Sequence, residues 1–236
     1  MQPAAPAARV LVVLAHPDDP EFFCGGTLAL WAQAGRQIEY CLLTRGDKGA
    51  DDGTDPAGLA ATRQAEQRAA ASILGVSQVH FLDYPDGYLV PDLDLRREVV
   101  RAIRQAKPTV VVTCDPTNFF PSDRYINHPD HRAAGQVTLD AVFPAAGSRM
   151  FFPELLQEGL EPHKVSQVYV AIPQTPNTVI DVTAFFDRKI QALRQHVSQI
   201  GDPEALVSRL QDRMLDPASP PESPRYVERF RRIDLA

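Results

Sequence analysis

Two short stretches of the chain concentrate groups that can bind a metal and move a proton. The first is Ala15-His16-Pro17-Asp18-Asp19-Pro20-Glu21, with one imidazole and two adjacent carboxylates within four residues. The second, far along the chain, is Asn127-His128-Pro129-Asp130-His131. Hydrolytic zinc sites commonly use three nitrogen or oxygen ligands from the protein and leave one position for water. Two histidines and one aspartate would fill such a set and leave carboxylates over. A spare carboxylate can act as general base on a metal-activated water, and a spare imidazole can stabilise an oxyanion, oriented by a neighbouring carboxylate. Either stretch alone reads as an aspartate capping a helix plus an exposed histidine. Together they point to a metal-dependent hydrolase built from His16, Asp18, Asp19, His128, Asp130 and His131. These donors suit ferrous iron as well as zinc.

The elements that must position these groups can be read from hydropathy. Arg9 to Ala15 is a continuous, β-branched apolar run, the pattern of a parallel strand buried on both faces. Gly25-Gly26 opens a helical stretch from Thr27 to Ala34, closed by Gly35, and a second strand follows at Ile38 to Thr44. Helices at Ala57 to Leu74 and Leu93 to Ala106 alternate with strands at Val79 to Leu82 and Thr109 to Cys114, and His131 to Val142 is a further helix. This is the rhythm of βαβ units. The expected fold is α/β: a Rossmann-like, mostly parallel sheet with helices on both faces, in a single domain spanning 1–236. In such sheets ligands lie beyond the carboxyl ends of the strands, where both His/Asp stretches fall.

Beyond Phe143 the alternation weakens. Val168 to Ile172 and Thr178 to Val182 read as strands and Ala184 to Gln199 as a helix. The tail, about 203–236, is expected to be helical at Pro203 to Met214 and Tyr226 to Ile233, and the Ala/Pro-rich stretch 1–8 to be disordered. The variable segment Phe143 to Ser166 is the expected seat of substrate specificity.

The chain's 236 residues and 44% hydrophobic content suffice for a substantial core without covalent staples. A net charge of −6 argues against nucleic acid or an anionic membrane as partner. No apolar run is long enough to span a membrane, and the N-terminus lacks a signal peptide's apolar core. The three scattered cysteines, Cys24, Cys41 and Cys114, form no metal or disulfide pattern and fit a reducing compartment, so the expected location is cytoplasmic.

AHPDDPEFFCGGTLA, TRGDKG, the R-x-x-E-x-x-x-AA stretch from Arg63, LDYPDG and NHPDHRAAG, in this order, closely resemble the PIG-L/LmbE-like zinc-dependent N-deacetylases. The likeness runs from Val10 to about His196. It implies a Rossmann-like fold without a nucleotide, with His16, Asp19 and His131 as metal ligands for Zn2+ or Fe2+. It further implies Asp18 as general base and His128 as the imidazole that stabilises the oxyanion and protonates the leaving amine, with Asp130 orienting His128. Arg63 matches an arginine that contacts sugar hydroxyls. The chain departs from the common AHPDDE form, because Pro20 intervenes before Glu21. Homotrimers or homohexamers are implied as well.

The expected activity is removal of an N-acetyl group from an N-acetylglucosamine-type sugar, sugar conjugate or related small molecule. The alternatives are an amidase, a deacetylase of a non-sugar metabolite, or a non-catalytic sugar-binding module; intact Asp18 and His128 argue against the last. Gly25-Gly26 supplies no dinucleotide-binding glycine pattern. Among weaker candidates, Arg45, Asp47 and Lys48 sit after the second strand at the ligand edge, and Glu66 is placed to pair with Arg63 along a helix face. Tyr125 precedes His128, and His196 lies in a helical HVSQ stretch.

Overall fold

The computed structural model describes residues 8–50 and 53–235. The expectation of disorder over 1–8 therefore lies, apart from Ala8, outside the described residues. A seven-stranded sheet runs in the order β3-β2-β1-β4-β5-β7-β6. Its strands are β1 (Arg9–Leu14), β2 (Gln37–Thr44), β3 (Gln78–Tyr84), β4 (Val110–Cys114), β5 (Gln167–Ala171), β6 (Thr178–Asp181) and β7 (Val227–Asp234). The first five strands are mutually parallel, and β7 pairs antiparallel with both β5 and β6.

Every residue of β1 after Arg9 is buried because helices cover both faces. Val10, Val12 and Leu14 join one core with Leu28 and Trp31 of α1 (Asp19–Gln33). Leu11 and Val13 join the opposite core with Val99 of α3 (Leu93–Ala106) and Val137 of α4 (Pro129–Asp140). The first face also carries α2 (Pro56–Leu74) and α6 (Phe186–Leu193). The strand order reverses between β1 and β4, whose neighbours lead away in opposite directions and open a crevice at their carboxyl ends.

The elements depart from the sequence reading in three places, besides the helix expected at Ala184 to Gln199, which is α6 and ends at Leu193, leaving His196 outside it. The first helix begins at Asp19 rather than Thr27, with Pro20 in its first turn, where a missing N–H costs nothing. Gly25-Gly26 lies inside α1, beside a break at Cys24 (φ −148°), instead of opening it. The N–H groups of Gly26 and Thr27 donate to the Glu228 carboxylate at 3.0 and 2.7 Å, and Lys189 Nζ meets the same carboxylate at 2.7 Å. Secondly, Tyr226 to Ile233 is strand β7, not helix. Val227, Phe230 and Ile233 fall three apart and imitate a helical period, but Phe230 packs in one core and Ile233 against the other, as odd spacing requires in a strand. The remaining tail helix is α7 (Pro203–Met214).

Thirdly, the segment 143–166 is packed on the core through Leu155, Leu160 and Val165 and gathered around a buried arginine. Arg104 of α3 is fully buried and donates to the carbonyls of Ala145, Ala146, Ser148 and Phe151. A π-helical turn (Ala141–Ala146) and the short α5 (Glu154–Gln157) pack there on the α3 face.

Gly135 brings α4 onto the end of β4: a Cβ there would lie 2.3 Å from the Cys114 carbonyl oxygen and 3.0 Å from Pro116 N. Both are backbone atoms that cannot rotate aside. Gly135→Ala is therefore expected to destabilise the fold by about 1–3 kcal/mol, the usual cost of overpacking, measurable as a lower thermal midpoint. An unchanged midpoint would show that α4 is not held against β4 by this contact.

Candidate active site

The first His/Asp stretch leaves β1 through a strained turn. Asp18 has φ 94° and ψ −29°, a left-handed conformation disfavoured for a residue with a side chain. A polar network secures it. The Asp18 N–H donates to Gln67 Oε1 at 2.8 Å, and Gln67 Nε2 donates to both oxygens of Glu21 at 3.0 Å. Glu21 also accepts from the Tyr40 hydroxyl at 3.3 Å and meets His196 Nε2 at 3.2 Å. His196, in doubt from sequence, is thus a buried support of this network and touches no cavity surface.

Asp19 is bracketed by two histidines. Its Oδ2 lies 3.5 Å from His16 Nδ1 and its Oδ1 3.0 Å from His131 Nε2. The outer nitrogen of each ring faces an acceptor: His16 Nε2 meets Asp86 Oδ1 at 3.1 Å and Asp130 Oδ2 at 3.2 Å, and His131 Nδ1 meets Asn127 Oδ1 at 2.9 Å. Were a cation bound, those outer nitrogens would keep their protons, freeing His16 Nδ1 and His131 Nε2 beside Asp19 as lone-pair donors. This arrangement, with acceptors fixing the tautomers from behind, is that of metal-binding histidines. His16, His128 and His131 also present ring nitrogens within 4.8 Å of one another. Ligand atoms of His16, Asp86 and Asp130 lie equally close, so the imidazole and carboxylate donors gathered around His16 suit a divalent cation.

The electrostatics divide the carboxylates. Asp19 loses solvation on burial, but the charges and hydrogen bonds of His131 and His16 outweigh this and hold it well below the ordinary carboxylate range. Asp18 is pushed up to about 6 by burial and the adjacent Asp19 charge, against the pull of Arg63, His196 and His16. For His16, burial opposes protonation, yet Asp130, Asp19 and Asp86 raise its pKa well above the ordinary value. Burial and the neighbouring His16 lower His128, with Asp130 opposing. Its Nδ1 accepts the Asp130 N–H at 3.2 Å, so the neutral ring carries its proton on Nε2.

Several expectations need correction. The Asp130 carboxylate does not orient His128; it is spent on His16, on the Gly87 N–H at 2.7 Å and on the Leu89 N–H at 3.1 Å. Only its backbone N–H reaches the His128 ring. Arg63 is buried and donates to the carbonyls of Pro17 (2.7 Å) and Gly46 (3.1 Å), besides lying 3.4 Å from Asp18 Oδ2. It lines the cavity while tying two loops together. Glu66 does not pair with it, because Arg63 turns inward; Glu66 accepts from Ser198 N and Oγ instead.

Around these groups lies a cavity of about 930 Å3, walled on other sides by Phe22, Asn118, Tyr125 and Pro173 and by residues from β7. Tyr125 belongs to this wall, whereas Arg45 pairs with Asp83 outside it. Asp47 and Lys48 clasp the loop bearing Asp86: Asp47 Oδ1 accepts the Asp86 N–H, and Lys48 Nζ donates to the Asp86 carbonyl. No wall residue comes from 143–166, the segment expected to set specificity, which packs on the α3 side of the sheet. Sequence reading also missed Asp86 and Asn127. The signals were present: Asp86 is in the YPDG turn at a strand's carboxyl end, and Asn127 stands four residues before His131.

Comparison with known proteins agrees with this geometry. Residues 11–142 match the family model described as PIG-L: GlcNAc-PI de-N-acetylase. A diacetylchitobiose deacetylase of Thermococcus kodakarensis is 36% identical over 84% of this chain and 72% of its own. The N,N'-diacetylchitobiose deacetylase of Pyrococcus horikoshii, solved with an inhibitor, superposes with a TM-score of 0.84 at 28% identity, over 97% of this chain and 85% of that one. A 4-carboxy-2-hydroxymuconate hydratase of Pseudomonas putida shares the fold, with a TM-score of 0.76 at 23% identity over 97% of each chain. With both motifs facing one crevice and more than half of its length matched, the chain belongs to the PIG-L family.

Proposed function

We propose that the chain is a zinc-dependent hydrolase that removes the N-acetyl group from an N-acetylglucosamine-type sugar or sugar conjugate. The observation that carries this reading is the division of labour around Asp19. One carboxylate is bracketed by two imidazole nitrogens, a second of higher pKa stands beside it, and a further imidazole offers an N–H nearby. His16, Asp19 and His131 would hold the metal, and ferrous iron satisfies the same donors. When bound, the cation supplies Lewis-acid polarisation of the amide carbonyl and acidifies a water.

The chain's own groups then move the protons. Asp18 takes one from the attacking water, whose oxygen bonds to the acetyl carbon. His128 donates its Nε2 hydrogen toward the oxygen that becomes negative, as an oxyanion donor does. As the C–N bond breaks, the proton taken up by Asp18 passes on to the departing nitrogen, leaving acetate, a free amine and an ionised Asp18. Asp130 and Asp86 fix the His16 ring, and Arg63 holds Asp18 while presenting its remaining guanidinium surface to sugar hydroxyls.

A hydrolase of a non-sugar amide would use the same groups. The family description and the chitobiose-acting relatives favour a sugar. No helix among the described residues is long and apolar enough to cross a membrane, and the three cysteines are buried and unpaired, which supports a cytoplasmic home. Exposed Phe119, Phe120 and Ile126 near the cavity mouth support contacts between copies in a homotrimer or homohexamer.

Three outcomes test this reading. His16→Ala, Asp19→Ala and His131→Ala should each lose bound metal by elemental analysis; full retention in one removes that residue from the ligand set. Asp18→Asn should keep its metal while kcat for N-acetylated sugars falls by roughly 10²–10⁴-fold, the loss expected of a general base; full activity would sink the mechanism.

The third outcome concerns stability. Because folding raises the Asp18 pKa from 3.8 to about 6, the folded state binds more protons than the unfolded one between these values. The stability Asp18 contributes is thus present in acid and lost as pH rises through 6. Metal-free Asp18→Asn should then be more stable than the parent at pH 7, by on the order of 3 kcal/mol, and equal to it below pH 4. A denaturation series showing no such crossover would refute the buried, strained carboxylate.

A further inference from the structure

Asp18 occupies the N-cap of α1, yet its carboxylate makes no hydrogen bond to the first turn of that helix. An aspartate in this position ordinarily turns back onto those N–H groups. Withholding the carboxylate from the helix, on a residue at φ 94°, leaves its placement to partners from elsewhere. Two such partners, Arg63 and Gln67, lie one helical turn apart on α2. Gln67 Oε1 accepts the Asp18 N–H at 2.8 Å, and Arg63 Nη2 lies 3.4 Å from Asp18 Oδ2.

Both partners lead back to one turn after α6, His196-Val197-Ser198-Gln199. His196 is fully buried, and its Nε2 meets Glu21 Oε2 at 3.2 Å; Glu21 in turn accepts from Gln67 Nε2 through both oxygens. His196 Nδ1 has no partner among the described residues, so the polar contact of the ring is spent on Glu21 alone. Gln199 Nε2 donates to the Gly49 carbonyl at 2.9 Å. Gly49 packs directly on the Arg63 guanidinium, because a Cβ on it would stand 2.3 Å from Nη1 and 2.9 Å from Gln199 Oε1. Between these two arms, Ser198 donates through its N–H (2.8 Å) and Oγ (2.7 Å) to Glu66, the α2 neighbour of Gln67. Hydropathy in the turn is inverted: Val197 is exposed, while the imidazole is buried with one nitrogen unanswered. An apolar side chain would fill the His196 position without that cost.

We propose that the turn from His196 to Gln199 is a two-armed clamp on Asp18, with His196 and Gln199 as positioning residues for the general base. This rests on the deacetylase reading and adds to it a part of the chain remote from both His/Asp stretches. His196 acts on the backbone of residue 18 through Glu21 and Gln67. Gln199 acts on its carboxylate through Gly49 and Arg63. A base displaced from the attacking water loses rate while the substrate stays bound, because proton transfer depends on distance and alignment more steeply than binding does.

The test is a double-mutant cycle with Asp18→Asn in metal-loaded protein. Free amine is assayed on the fastest of a set of N-acetylated sugars that includes N,N'-diacetylchitobiose. Gln199→Met and His196→Leu should each lower kcat by about tenfold with KM and metal content unchanged. His196→Gln, which returns an N–H toward Glu21, should recover most of the loss. In Asp18→Asn protein the same two substitutions should change kcat by less than about twofold, because the group they act through is gone. A merely structural role would instead multiply with the Asp18→Asn loss. Unchanged kcat in both single variants, full multiplication, or a loss carried by KM would overturn the clamp while leaving deacetylation intact. If His196→Leu does not fold, Gln199→Met carries the cycle alone. If the parent releases amine from none of the sugars, the deacetylase reading falls, and hydrogen exchange at the Asp18 amide decides the clamp. That amide should exchange about tenfold faster in either variant, with the β4 amides unchanged; equal exchange at Asp18 would overturn it.

Discussion

Everything at the site depends on where the strand order turns around. β1 and β4 lie side by side, but their chain continuations lead to opposite flanks of the sheet, so no connecting helix can close over their carboxyl ends. Residues placed there are shielded by the sheet beneath and open to a ligand above. The His16 turn leaves one of these strands and the His131 helix follows the other, and Asp19 is where they meet. A buried carboxylate between two imidazoles is tolerable only while its charge is answered, and every neighbouring element is arranged to answer it.

Much of this was legible in the sequence because it rests on local rules. Buried parallel strands must be continuously apolar, so β1 and β4 announced themselves, and polar clusters after them had to lie at the crevice. What escaped reading depended on distant partners. Asp130 was expected to serve the histidine two residues before it, yet its carboxylate turns to His16 across the sheet. Glu66 had the spacing to pair with Arg63, but the arginine is drawn inward by two carbonyls. In β7, apolar residues three apart suited a helix until the neighbouring strands supplied a sheet edge.

The same scaffold in a hydratase shows that the fold does not decide the reaction. Here particular atoms matter: a His128 ring whose Nδ1 accepts the Asp130 N–H, and an Asp18 whose burial beside Asp19 disfavours its charged form. The Asp18 shift opposes stability once the pH exceeds its raised value. Gln67, Glu21 and His196 hold the strained turn in place and give that cost a structural basis.

The broken first helix has a consequence for how the molecule is made. Its interior N–H groups at Gly26 and Thr27 are satisfied by Glu228, more than two hundred residues later in the chain. While translation proceeds, the stretch bearing His16 and Asp19 has emerged, but the helix anchoring it lacks its internal cap. The loop to be closed is nearly the whole polypeptide, and such distant pairings are slow to form. Glu228 thereby ties the helix that begins at Asp19 to the C-terminal strand, and a chain trimmed before β7 would leave these two N–H groups without their carboxylate.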